Sequence, residues 1–143
     1  MQCKEIMTKN PICCLPEESV VTAAEKMTRN DFGSLPVIES EESKKIVGIL
    51  TDRDLVVKVV GEGLSPQSVK VKEVMTKNVI TCLKDDDLET ALNAMADYQL
   101  RRIPVLDNEN RIVGIIAQAD IATRLDQPVK TASVVKDISR SAK

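Results

Sequence analysis

Two stretches of the chain can be laid over one another, and this self-similarity constrains the fold more than any other feature. Met7-Thr8-Lys9-Asn10 aligns with Met75-Thr76-Lys77-Asn78, and the match runs without gaps to Ile38 over Leu106. It resumes with Ile46-Val47-Gly48-Ile49 over Ile112-Val113-Gly114-Ile115 and ends at Leu55 over Ile121. Seventeen of the 42 aligned positions are identical, where unrelated stretches of average composition share roughly two or three. The one length difference is the polar loop 39–45, two residues longer in the first copy. The chain is therefore one supersecondary unit used twice.

Both copies carry the same local signals. A short β-branched segment (11–15; 79–83) precedes an acidic turn. The next stretch places Val20, Ala23, Ala24 and Met27, and in the second copy Leu88, Ala91, Leu92 and Met95, at i, i+3, i+4, i+7. That spacing is one buried stripe of a helix, with Ser19 and Asp87 at the N-cap positions. Two short strands follow (35–38 with 46–50; 103–106 with 112–116), joined by loops rich in Ser, Asn and Asp. A second helix, over 52–60 and 118–125, closes each copy. The resulting β-α-β-β-α order predicts an α/β fold with a small mixed sheet. We place repeat 1 at residues 5–60, a Gly- and Ser-Pro-containing linker at 61–72 and repeat 2 at 73–125. Residues 126–143 are expected to form a poorly ordered tail with room for a short helix. Neither copy has much core of its own, so the two are expected to pack face to face.

Composition excludes several functions. A net charge of −2 offers no electrostatic footprint for nucleic acid. With one Phe, one Tyr and no Trp there is no base-stacking platform. None of the four cysteines stands in C-x-x-C spacing and the chain has no His, which argues against a structural zinc site. The acidic segment 107–110 lacks the Gly and distal Glu of a calcium loop. No apolar run approaches a membrane span and residues 1–10 carry no leader-like core, so a cytoplasmic protein with reduced thiols is expected. No nucleophile–base pair is visible, and the chain is read as not an enzyme.

The chain resembles the CBS-domain family, named for cystathionine β-synthase, over roughly residues 5–125. The resemblance is carried by the Met-Thr openings at Met7-Thr8 and Met75-Thr76, and by Leu35-Pro36-Val37 with Ile103-Pro104-Val105. Its third carrier is Gly48-Ile49-Leu50-Thr51-Asp52-Arg53-Asp54 with Gly114-Ile115-Ile116-Ala117-Gln118-Ala119-Asp120. It implies two repeats about a pseudo-twofold axis with two equivalent clefts for an adenine nucleotide (AMP, ADP or ATP) or related adenosyl ligand. The first cleft would pair Thr51 and Asp54 with Thr76, Ile80, Thr81 and the segment 100–104, which holds Arg101, Arg102 and Pro104. The second would pair Asp120 with Thr8, Ile12, Cys13 and the segment 32–36, which holds Gly33, Ser34 and Pro36.

The residue chemistry admits two readings at each of these positions. Thr51 ends a strand and opens a helix, where free N–H groups suit a phosphate oxygen, and Asp54 can accept from both hydroxyls of a ribose. Thr51-x-x-Asp54 is equally a capping box, and one corner can serve both roles. Arg101 and Arg102 either arm a phosphate position or are solvated. Cys13, Cys14 and Cys82 are read as small hydrophobes ahead of redox groups. Three functions stay open: a ligand-sensing regulatory module acting on an unidentified protein, a structural or protein-interaction module with vestigial clefts, and a thiol redox sensor. Surplus apolar surface at Val20, Ala24, Leu88, Leu92, Leu55, Val56 and Val59 predicts a homodimer.

Overall fold

The computed structural model describes residues 1–124 and 128–139. In chain order its elements are α1 (Cys3–Ile6), β1 (Thr8–Lys9), α2 (Val20–Asn30), β2 (Ser34–Ile38) and β3 (Ile46–Thr51). Next come α3 (Asp52–Leu55), which runs on as a π-helical turn (Val56–Val60), a 3-10 turn (Pro66–Ser68), α4 (Val71–Val74) and β4 (Cys82–Leu83). The last are α5 (Leu88–Tyr98), β5 (Arg102–Leu106), β6 (Ile112–Ala117), α6 (Gln118–Arg124) and α7 (Pro128–Ser139). The protein is a mixed α/β tandem pair.

The expected stripes are realised. Val20, Ala23 and Met27 of α2 are buried, as are Leu88, Ala91, Leu92 and Met95 of α5. Ser19 accepts from the Val21 N–H at 3.1 Å and Asp87 from the Glu89 N–H at 3.4 Å, so both helices start where the cap residues stand. In the acidic turn Asp86 accepts from the Leu83 N–H at 2.9 Å, and Asp85 pairs with Lys4.

The chain divides into two compact units that cut across the repeats. One, unit A, holds residues 12–79; the other, unit B, combines residues 1–11 with those from 80 onward. In unit A, β2 and β3 pair antiparallel, Cys14 bridges Val37 in parallel on one side, and Thr76 bridges Ile49 on the other. In unit B the order is β1-β6-β5-β4, with β4 parallel to β5 and the remaining pairs antiparallel. Each sheet is therefore completed by the Met-Thr opening of the other repeat. Glycine is required where that opening crosses. A Cβ on Gly48 would lie 3.0 Å from the Thr76 carbonyl oxygen, and one on Gly114 would lie 3.0 Å from that of Thr8.

Three elements depart from expectation. The segments 11–15 and 79–83 shrink to the Cys14 bridge and the two residues of β4, because only Cys14 in the first copy, and Cys82 and Leu83 in the second, pair with β2 and β5. Helix 52–60 changes to π geometry at Val56, with the Gly61 N–H donating to the Val56 carbonyl at 2.7 Å; its counterpart is helical to Arg124, and Leu125 lies outside the described residues. The expected tail holds α7, twelve residues long, whose Val134 and Ile138 join the core of α5 and α6. An i, i+4 aliphatic pair against a ready apolar surface outweighs its polar composition.

Burial of Cys14 beside the Glu18 carboxylate pushes its thiol up from 9.0 to about 12. The unfolded chain then releases this proton near the ordinary thiol pKa, while the folded chain keeps it. The contribution is whole below about pH 9 and is lost as pH rises toward 12. Urea unfolding at about pH 10.5 is expected to show a lower midpoint than at pH 8. Cys14→Val should recover part of that loss.

Candidate functional site

Each unit carries the same corner. In unit A, β3 ends at Thr51 and α3 begins at Asp52. The Thr51 hydroxyl accepts from the Asp54 N–H at 3.0 Å, and Asp54 Oδ2 accepts from the Thr51 N–H at 3.0 Å. The capping reading is thus realised in full. Thr51 uses only its oxygen in the cap, which leaves its hydroxyl proton to donate. Asp54 is 8% exposed, the one charged residue among the described core. Its Oδ1 faces Lys58 Nζ at 3.0 Å and the Thr76 hydroxyl at 3.4 Å. Lys58 also donates to the Val74 carbonyl at 2.9 Å, tying the corner to the segment just before Thr76.

In unit B the corner is formed by Ala117 and Asp120. Asp120 Oδ2 accepts from the Ala117 N–H at 2.8 Å, and Oδ1 accepts from the Thr8 hydroxyl at 3.0 Å. Arg124 stands 3.7 Å from Oδ1 and donates to the carbonyls of Ile6 and Met7 at 3.0 and 3.1 Å. Replacing threonine by alanine in the second copy removes half of the box only: the carboxylate still holds its backbone N–H. Lys58 and Arg124 were not singled out by the motif reading. Extending the ungapped repeat three residues beyond Leu55 and Ile121 aligns them.

The strand partners beside each corner differ. In unit A, Ser34 pairs with Thr51, and the Gly33 carbonyl accepts from the Asp52 N–H at 2.9 Å. In unit B, Arg102 pairs with Ala117, and the Arg101 carbonyl accepts from the Gln118 N–H at 2.8 Å. Thus the corner with a hydroxyl has Gly-Ser beside it, and the corner without one has two arginines. Of the remaining sequence-predicted positions, Ile12, Cys13 and Pro36 lie in unit A, and Ile80, Thr81 and Pro104 in unit B. Ile12 is exposed, Cys13, Ile80 and Thr81 are half-buried, and Pro36 and Pro104 are buried in β2 and β5. The Cys13 carbonyl accepts from Lys26 Nζ at 2.9 Å. Among the described residues no three His, Cys, Asp or Glu side chains come together as a metal site, and no helix is long and apolar enough to cross a membrane.

The CBS domain profile matches residues 3–61 and 71–127. The chain belongs to the CBS-domain family. Among curated CBS relatives it is 33% identical over 124 residues to hypoxic response protein 1 of Mycobacterium tuberculosis, covering 87% of this chain and 85% of that one. It is also 33% identical over 117 residues to an uncharacterized protein, MK0525, of Methanopyrus kandleri. That match takes in 82% of this chain and 59% of the relative. Among solved structures, hypoxic response protein I with two coordinated zinc ions superimposes with a TM-score of 0.78 at 32% identity, covering 87% and 99% of the two chains. The CBS domain pair of protein MJ0100, in complex with 5-methylthioadenosine and S-adenosyl-L-methionine, gives 0.71 at 30% identity, covering 85% and 93%. CBS pairs are generally regulatory modules, and some stand within enzymes.

Proposed function

We propose that this CBS pair is a non-catalytic regulatory module that binds an adenosyl ligand, AMP, ADP or ATP among them, at its strand–helix corners. The observation that carries this reading is the duplicated corner. In each unit a carboxylate is fixed at the start of a helix, faces the threonine of a Met-Thr opening, and is backed by a cation one turn further on. The Oδ1 atoms of Asp54 and Asp120, already accepting from hydroxyls, suit ribose hydroxyls. The Thr51 hydroxyl in one unit, and Arg101 or Arg102 in the other, suit phosphate. The adenosyl ligands of the MJ0100 pair, a relative at 30% identity, support the class of ligand.

Thermal denaturation with a panel of AMP, ADP, ATP, S-adenosylmethionine and methylthioadenosine tests this. A ligand at a hundred times its dissociation constant is expected to add about 2.7 kcal/mol to the folded state, with the ligand recovered unchanged. Turnover of the ligand would show an enzyme, and a flat response throughout would leave a structural module.

We also propose that the chain pairs with a second copy through unit A. Leu88 and Leu92, expected on the dimer face, are 4% and 1% exposed beneath α7 and take no part. The matching surface of unit A is an open apolar groove of about 490 Å³, lined by Val20, Val21, Ala24, Leu55 and Val59 among others. After the π-helical turn the chain of this unit turns through Gly63, at φ +68°, and lays Pro66 at the groove instead of a long helix. Val56 and Val60 stand at i, i+4 beside the groove, 61% and 68% exposed. They repeat the spacing of Val134 and Ile138 in α7, so a second copy presents the shape that the groove accepts. Light scattering at tens of micromolar is expected to give a dimer, and Val60→Glu a monomer. A wild-type monomer at that concentration would dismiss the pairing.

A further inference from the structure

Residues 1–9 form an arm that is seated in unit B, while the chain from residue 12 onward builds unit A. The bonds of the seat are directional. The Leu88 N–H donates to the Met1 carbonyl at 2.8 Å, the Cys3 N–H to that of Asp86 at 2.9 Å and the Lys4 N–H to that of Lys84 at 3.0 Å. Thr8 and Lys9 pair with Ile115 and Gly114 of β6. The side chains follow the backbone: Lys4 Nζ stands 2.9 Å from Asp85 Oδ1, and the Thr8 hydroxyl donates to Asp120 at 3.0 Å. An arm of the same sequence from another chain would make every one of these bonds.

The joint between the arm and unit A is Asn10-Pro11. Asn10 sits at φ +54°, in the left-handed region that is costly for residues other than glycine. Pro11 steers the residue before it toward extended backbone, so the local preference opposes the bend. The second opening carries the same Met-Thr-Lys-Asn, but Val79 follows it and Asn78 has no positive φ. The bend is therefore not a property of the shared sequence. It is held by the seat at one end and by unit A at the other. A short hinge under strain invites exchange between copies.

We propose that two copies of the chain exchange residues 1–9, each arm completing unit B of the other copy, with Asn10-Pro11 straightening as the hinge. The exchanged form keeps every bond of the seat and relieves both bends. Each Asp120 corner then takes its threonine hydroxyl from the other chain, so the corner is shared between two copies. A tethered arm acts at an effective concentration on the order of 1 mM. A second chain therefore competes when the protein folds near that concentration, while the seats are still empty. This pairing uses a different surface from the groove of unit A and is independent of Val60.

The test uses the full chain carrying Val60→Glu, which removes pairing through the groove. Equal amounts of isotope-labelled and unlabelled chain are unfolded together in urea, refolded at about 1 mM and separated by size. A carbodiimide then joins Lys4 to Asp85 as an amide, and the linked peptides are weighed. A dimer is expected in which roughly half of the linked peptides are hybrids of labelled and unlabelled chain, as random pairing of equal pools requires. The monomer should yield uniform linked peptides. Asn10→Gly accepts the bend without penalty, and a circular dichroism melt verifies its fold. Its share of dimer should fall about fivefold under the same refolding, since two joints count in each dimer. Absence of a dimer, or a dimer with uniform linked peptides only, would overturn the proposal. So would an unchanged dimer share in Asn10→Gly, or the lack of any Lys4–Asp85 link, which would remove the seat itself.

Discussion

Asp54→Ala is expected to destabilise unit A by about 2–3 kcal/mol, since one carboxylate supports the cap of α3 and accepts from Thr76 and Lys58. Most of this loss comes from the cap and the hydroxyl, because Lys58 is 43% exposed and its ion pair is screened. Urea unfolding measures the loss. Calorimetry on the same variant is expected to show the tighter adenosyl site gone. Asp120→Ala should leave that site intact, because its own corner lacks the hydroxyl that Thr51 supplies. A donor to a charged phosphate is worth about 1.5–3 kcal/mol, which is roughly ten- to a hundredfold in affinity. If Asp120→Ala removes the tighter site instead, Arg101 and Arg102 outweigh the hydroxyl.

Gly114→Ala should cost about 2–3 kcal/mol, at the upper end of what one added methyl group costs in a packed site. The new Cβ would overlap the Met7 sulfur, lie 2.8 Å from its Cγ and stand 3.0 Å from the Thr8 carbonyl oxygen. The thioether can move aside. The carbonyl cannot, because Thr8 and Lys9 are paired with Ile115 and Gly114 itself. Relief therefore comes by pushing β1 off β6, which also separates Thr8 from Asp120. Gly48→Ala meets Met75 at a looser 2.7 and 3.1 Å and should cost less. Denaturant melts of the two variants side by side check both the size and the order.

Much of this was legible in the residues, for a definite reason. The stripes of α2 and α5 and the hairpins β2–β3 and β5–β6 are specified locally and stated twice, so each copy corroborates the other. The capping box at Thr51 is a short-range signal and could be read directly. What could not be read depends on contacts distant in sequence. Val134 and Ile138 look unremarkable in a polar segment until α5 and α6 supply a surface for them. Lys58 and Arg124 stand one turn after Asp54 and Asp120, but their second contacts are carbonyls of Val74, Ile6 and Met7, delivered by segments distant in sequence. The shift to π geometry at Val56 follows from no residue in Val56–Val60 that we can name.

The interleaving of the openings sets an order of assembly. Unit A is one uninterrupted stretch of chain, so every partner it needs has been synthesised by residue 79. Unit B joins both ends: Thr8 meets Asp120 across 112 positions, and Ile6 meets Arg124 across 118. Contacts so remote form late, since the loop they close must lose its freedom before any of them can form. On the ribosome, where the amino-terminal part of a chain emerges first, α1 and β1 are released early and must wait without a sheet to join. During that interval Ile6, the last residue of α1, and Met7, its C-cap, have no core to cover them. A chaperone that shields the first eleven residues would therefore raise the yield of folded protein most when it acts before the second half has left the ribosome.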